Sequence, residues 1–256
     1  MSLTPPPLRS GSVPARDFTH GGHGGSEAAP PTPPSRNPSW LLLQLADSGF
    51  PTGGFAHSAG LEAAAQLGET RGAEGLDRYA RAYLWNVGNA SLPFVAAAHD
   101  EPAALADLDA LVDAVLIGHV ANRASRTQGR AFAATCAHVF DVPAIAAQAD
   151  RARAREGPSH LAPLFGATLA ALRVERRETL ALYLYIALRG IASAAVRLAV
   201  VGPHEAQRLQ LRHGTTMDAV LASCQELRPH DAATVAPVAD IIGQTHDRLY
   251  TRLFQS

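Results

Sequence analysis

The stretch Leu41–Glu62, LLLQLADSGFPTGGFAHSAGLE, holds the residue types closest to recognisable chemistry. An apolar helix breaks at Asp47-Ser48-Gly49, Pro51-Thr52-Gly53-Gly54 forces a turn, and the chain re-enters a helix near Ser58. A glycine loop before a helix can hold a phosphate on free N–H groups, or it can be a helix–turn–helix corner whose glycines serve tight packing. No GxGxxG, preceding strand or lysine accompanies it. His57, Ser58 and Glu62 also suggest hydrolysis with Ser58 as nucleophile. No G-x-S-x-G elbow surrounds Ser58, however, and neighbours on a helix point about 100° apart, which places His57 badly to serve it.

Metal chemistry has less support. The eleven histidines include no HExxH, no H-x-H and no Cys/His cluster at ligand spacing. His20 and His23 stand in a glycine-rich tail where capture of a divalent ion is unspecific. His119, His138 and His213 read as polar partners within helices, and His160 opens and caps a helix at HLAPLFG. No metal site and no cofactor is expected. Arg123, Arg126 and Arg130 recur at i, i+3, i+7, either as a face for a carboxylate-rich partner or as a solvated helix face. At the end of the sequence, Ile242, His246, Leu249, Tyr250 and Leu253 keep helical spacing and Phe254 follows. That helix either docks on its own domain or offers anchors to a partner's groove.

The elements that must position these residues are helical. Leu76, Tyr79, Tyr83, Leu84 and Val87 follow the helical period, as do Leu105, Leu108, Val112, Val115, Leu116 and Val120. Alanine is abundant and no run alternates with period two, so the expected fold is an all-α bundle of nine or ten helices in one domain. That domain spans 39–256. Residues 1–38 hold nine of the 18 prolines and almost no large apolar side chain, and read as a disordered tail. Thr179–Val201 is long enough to span a bilayer. Arg189 and Arg197 lie inside it, each costing about 2.5–3.5 kcal/mol at the bilayer centre, so it reads as a central core helix.

All 22 basic residues are arginine. Without lysine the chain has neither a Walker phosphate loop nor Schiff-base chemistry. A net charge of −1 gives no nucleic-acid footprint. The two cysteines, Cys136 and Cys224, form no CxxC and fit a reducing, cytoplasmic setting.

Several blocks together resemble the UreF family of urease accessory proteins. They are FPTGGFAHSAGLE (50–62), NRASRTQGRAF (122–132), HLAPLFGATLAALRVE with the Tyr-rich helix and VGP after it, and HDRLYTRLFQS (246–256). In correct order they cover 40–256. PTGGFAHS and Val201-Gly202-Pro203 are nearest to the plant, algal and fungal form. The resemblance implies a non-enzyme: an all-α homodimer that assembles with a UreD/UreH-type protein and the GTPase UreG, delivers nickel to apo-urease and regulates GTP hydrolysis. By the same likeness His246, Tyr250, Arg252, Leu253 and Phe254 contact the UreD-type partner. Tyr183 and Tyr185 lie near the dimer seam or the GTPase-binding face, where Arg123, Arg126 and Arg130 are further candidates. Pro51, Gly53, Gly54, His57 and Glu62 form a structural or interfacial loop.

Asp247 and Thr251 depart mildly from the family's Glu and Ser, and Thr127-Gln128-Gly129 replaces a Gln-Met-Gly form. The rival reading is a nickel-binding metallochaperone using His57, His160 or the tail histidines. If the terminal residues are a separable anchor, deleting 246–256 removes partner binding and leaves helical content intact.

Overall fold

The computed structural model describes residues 38–154 and 157–256. The expected disordered tail lies, apart from Pro38, outside those residues. Twelve α-helices follow in order: α1 (Pro38–Ala46), α2 (Leu61–Gln66), α3 (Gly72–Ala90), α4 (Leu92–Asp100), α5 (Leu105–Val115), α6 (His119–Val139), α7 (Pro143–Arg153), α8 (Leu161–Ala171), α9 (Arg176–Arg197), α10 (Pro203–Arg212), α11 (Gly214–Cys224) and α12 (Pro237–Gln244). No strand occurs among the described residues. Pro143, Pro203 and Pro237 open α7, α10 and α12, where the missing N–H leaves no bond unmade. The count exceeds nine or ten because apolar periods run across breaks. The Leu105–Val120 pattern is split at 116–118 between α5 and α6, and Ser91 alone separates α3 from α4.

The core centres on α8 and α9. Every residue of α8 from Ala162 to Leu169 is buried, and α4 lies directly against it. Gly166 makes that approach possible: a Cβ there would stand 2.1 Å from the carbonyl oxygen of Val95. Gly129 plays the same part between α6 and the start of α8, where a Cβ would meet the Ser159 carbonyl at 2.0 Å.

Helix α9 is the one described helix long and apolar enough to cross a bilayer, but half of its apolar window is buried inside the protein. It packs against α1, α3, α4, α8, α10 and α11. Both of its inner arginines find protein partners: Arg189 donates to the Ala46 carbonyl at the end of α1, and Arg197 to the Phe55 carbonyl. The Arg197 guanidinium is also stacked between two rings, 3.8 Å from Phe55 and 4.1 Å from Phe254. These contacts satisfy two cations that a bilayer would leave exposed to lipid.

The expected terminal helix is corrected. Helix α12 stops at Gln244, one 3₁₀ turn covers Thr245–Arg248, and residues beyond it run irregularly back across the start of the domain. Helical spacing persists in the sequence there, but the backbone N–H groups of Leu253 and Phe254 go to the Glu62 carboxylate. A charged acceptor reached across the fold outcompetes the local helical bond.

Candidate partner interface and the clasp beneath it

The glycine loop is tied down at several points. Gly53 takes the left-handed conformation (φ 74°) that starts a 3₁₀ turn at Gly54–Ala56. Thr135 of α6 donates to the Pro51 carbonyl at 2.7 Å, and Phe50 stacks on Phe140. Three of the loop's N–H groups are used internally: Thr52 to Phe50, Ala56 to Gly53, His57 to Gly54. With the ties at Pro51 and Phe50, these bonds make the loop a packing corner.

Residues 57–62 and 246–256 then close on each other. Glu62, buried on α2, accepts from Leu253 N (2.6 Å), Phe254 N (3.1 Å) and the His246 ring Nε2 (3.0 Å). A main-chain oxygen of Ser256 accepts from Ser58 N at 2.6 Å and Ser58 Oγ at 3.0 Å. His57 Nδ1 meets Ser256 Oγ at 2.5 Å, Gln255 N donates to the Ala56 carbonyl, and Gln66 Nε2 to the Thr251 carbonyl. Ser58, the nucleophile of the hydrolase reading, is buried with its hydroxyl committed to Ser256, and the His57 ring serves Ser256 as well. Burial disfavours protonation of His57 below the ordinary histidine range, and the nearby charges of Arg123 and His246 add to it.

A second tie holds the hinge of this segment. Arg123 grips Asp247 with two bonds of 2.8 and 3.0 Å, and His119 and Arg252 also approach the carboxylate, at 3.2 and 3.5 Å. These bonds, chiefly Arg123's, hold the Asp247 carboxyl at about 2. Arg126 turns elsewhere, to Asp113 at 2.8 Å, Asp109 at 3.5 Å and Ser159 Oγ at 2.9 Å. Arg130 points to solvent. The three arginines therefore do different work, although their spacing puts them on one helix face.

His160 occupies the cap position of α8, but the cap itself comes from Asp109 on α5. The Asp109 carboxylate accepts from Ser159 N at 2.8 Å and His160 N at 2.7 Å. His160 is fully buried, bonded to Ser125 Oγ at 3.0 Å and lying 3.4 Å from Asp113, so it is a structural partner. Asp109→Ala leaves two buried N–H groups and the Arg126 guanidinium short of an acceptor. We expect it to cost about 3 kcal/mol in urea unfolding, with Asp109→Asn losing roughly half as much.

Among the described residues no group of three or more His, Cys, Asp or Glu side chains is placed to hold a metal ion. His20 and His23 lie outside those residues. The candidate pair on α9 divides. Tyr183 turns inward, edge-on to Phe165 at 5.2 Å with its hydroxyl bonded to Ser91, and burial raises its pKa. Tyr185 faces out.

The terminal candidates divide likewise. His246 and Phe254 are buried and belong to the clasp, whereas Tyr250 is fully exposed (100%) and Leu253 is 53% exposed. Arg252 also faces solvent. Beside them α12 buries none of its own residues, and Val235, Val238 and Ile241 lie open at successive third positions. The helical spacing from Ile242 to Leu253 that stands out in the sequence does not include this strip. A second exposed apolar group, Trp40, Leu43, Phe55 and Tyr185, borders α9 where Gly190 and Ser193 are also exposed. Between the glycine loop and α9 lies a cavity of ≈ 240 Å³ lined by Phe50, Phe55, His57, Phe132, Tyr183 and Phe254.

Residues 70–214 match the family model for UreF. The chain belongs to the UreF family. It is 35% identical over 221 residues to urease accessory protein F of Arabidopsis thaliana, covering 85% of this chain and 92% of that protein. It is 33% identical to urease accessory protein F of Oryza sativa subsp. indica, over 84% of each chain. Urease accessory protein UreF of Mycobacterium tuberculosis (strain ATCC 25177 / H37Ra) is 31% identical over 222 residues, 84% of this chain and 98% of that one. The family places this UreF protein among the accessory proteins of urease maturation. Both halves of its clasp, 57–62 and 246–256, flank the residues matched by the family model.

Proposed function

We propose that this protein is the adaptor of a urease-maturation complex, a cytoplasmic homodimer that joins a UreD/UreH-type protein to the GTPase UreG. In that complex it serves nickel delivery to apo-urease and regulates when GTP is hydrolysed, without catalysis or tight metal binding of its own. The observation that carries the reading is the exposure of Tyr250 and Leu253 on a segment pinned from beneath by Glu62, His57 and Arg123, with Val235, Val238 and Ile241 exposed on and just before α12. Apolar and aromatic side chains held rigid in water are what a partner's groove receives at low ordering cost. This face is assigned to the UreD-type protein. The α9 face, with Trp40, Leu43 and Phe55 as knobs beside the small residues Gly190 and Ser193, has both halves of a self-complementary contact and suits the homodimer. The chain has no lysine, so a Walker lysine for GTP must come from the partner.

The test is the double variant Tyr250→Ala/Leu253→Ala. Neither side chain is buried, so unfolding stability should stay within about 0.5 kcal/mol. Affinity for the UreD-type partner, measured by calorimetry, should fall roughly 100-fold, as loss of two anchors worth about 1–2 kcal/mol each implies. Unchanged affinity removes this face from the assembly. Equilibrium dialysis addresses the metallochaperone alternative: tight stoichiometric nickel binding, lost when His57 or His160 is replaced, defeats the adaptor reading.

A further inference from the structure

The clasp contains an imperfection that points to regulation of the same surface. His57 Nδ1 is bonded to Ser256 Oγ, but its Nε2 is buried without a hydrogen-bond partner. A neutral ring tolerates this, because one of its nitrogens carries no proton to place. A protonated ring carries N–H on both nitrogens, and the second needs an acceptor. In the closed segment Nε2 bonds to none. Arg123 of α6 and His246 both act against a cation there. The Glu62 carboxylate of α2 already serves three donors, and Asp247 is committed to Arg123 and His119. From α9, Arg197 lines the same cavity, and from α3 the Tyr83 ring does.

We propose that residues 249–256 are an acid-released latch over the start of the domain, with His57 as the group whose protonation opens it. Opening admits water to Nε2 and frees the Ser256 contact. The sign follows from the depressed folded-state affinity of His57 for protons. Closure is fully favoured above the free-histidine range and lost as pH falls below about 6.5, by at most about tenfold in the closing equilibrium per pH unit for one proton. Asp247, held at about 2 by Arg123, stays ionised throughout, so the Thr245–Arg248 turn remains tied and acts as the hinge. The latch carries Tyr250 and Leu253. Its functional consequence, dispersal of the UreD-type docking face in acid, rests on the reading above, but the opening itself does not.

Hydrogen exchange of the full chain, corrected for the intrinsic pH dependence of exchange, tests this between pH 7.5 and 5.5. Protection of the Leu253, Phe254 and Gln255 amides should fall up to about tenfold per unit below pH 6.5 while α8 and α9 keep theirs. Histidine side-chain NMR on the same sample should show His57 taking up its proton together with that loss. Three results overturn the latch: flat protection, simultaneous loss of the core, or a His57 that titrates with the segment still closed. His57→Gln should abolish the pH dependence, and its persistence there also overturns the proposal. If the latch opens as described while affinity for the UreD-type protein stays level with pH, the docking assignment fails and the latch stands.

Discussion

Gly166→Ala should cost roughly 3 kcal/mol or more, lowering the thermal midpoint of this domain by roughly 6–12 °C. The added methyl would lie 2.1 Å from the Val95 carbonyl oxygen and about as close as 3.1 Å to the His99 backbone nitrogen. Those atoms are main chain in a helix buried on the facing side, so no rotamer change relieves the overlap. Helices α4 and α8 must separate, and the buried Phe94, Val95, Leu164 and Phe165 packed along their seam lose contacts with them. Gly214→Ala, at the start of α11, is the control. A Cβ there meets nothing within 4 Å, and the exchange should change stability by less than about 1 kcal/mol. Equal effects at the two glycines in scanning calorimetry would show that the close approach of α4 and α8 is not what Gly166 provides.

Glu62→Ala should be nearly as damaging, and its damage should be local. The substitution strips the acceptor from two backbone N–H groups and from His246, which is fully buried and whose Nδ1 has no hydrogen-bond partner either. Leaving those groups unpaired costs about 3–5 kcal/mol. The segment beyond Arg248 escapes that cost by leaving the surface, so the expected readout is proteolytic cleavage near Tyr250 under conditions where the core helices stay intact. Glu62→Gln keeps one acceptor oxygen and should fall between the two. A Glu62→Ala protein whose terminal segment resists protease as the parent does would show the clasp to be redundant. The deletion of 246–256 must be judged in the same light. It removes Phe254 and His246 from the interior along with the outward anchors, so loss of partner binding in that truncation alone does not distinguish anchor from scaffold.

The helical architecture was legible because burial imposes a period on sequence. Leu76, Leu84 and Val87 are buried on α3, and Leu105, Leu108 and Val112 on α5, as their spacing required. The candidate site was legible in its ingredients and not in its connections. Glu62 and His246 both stood out, but nothing local reports that a carboxylate on one short helix closes on a ring 184 positions later. The same holds for Asp109, whose role is to cap α8 from 50 residues away. Arg123, Arg126 and Arg130 share a helix face by spacing, yet the carboxylates that divide them arrive from α5 and from the terminal segment. Periodicity also misled beyond Gln244, where the helical spacing of His246, Leu249, Tyr250 and Leu253 belongs to a 3₁₀ turn and an irregular segment.

The clasp also sets an order on synthesis. His57 finds Ser256 across 199 positions, so a chain emerging from the ribosome carries Glu62 and Ser58 without their distant partners until residues 246–256 have been made. Helices α3 to α9 can collapse around α8 well before then, because their contacts close at shorter range. The surface bearing Tyr250 and Leu253 is thus the last to take shape. A variant that stops at Arg248 would present a folded body with Glu62 and Ser58 uncovered and without Tyr250 and Leu253 at its front.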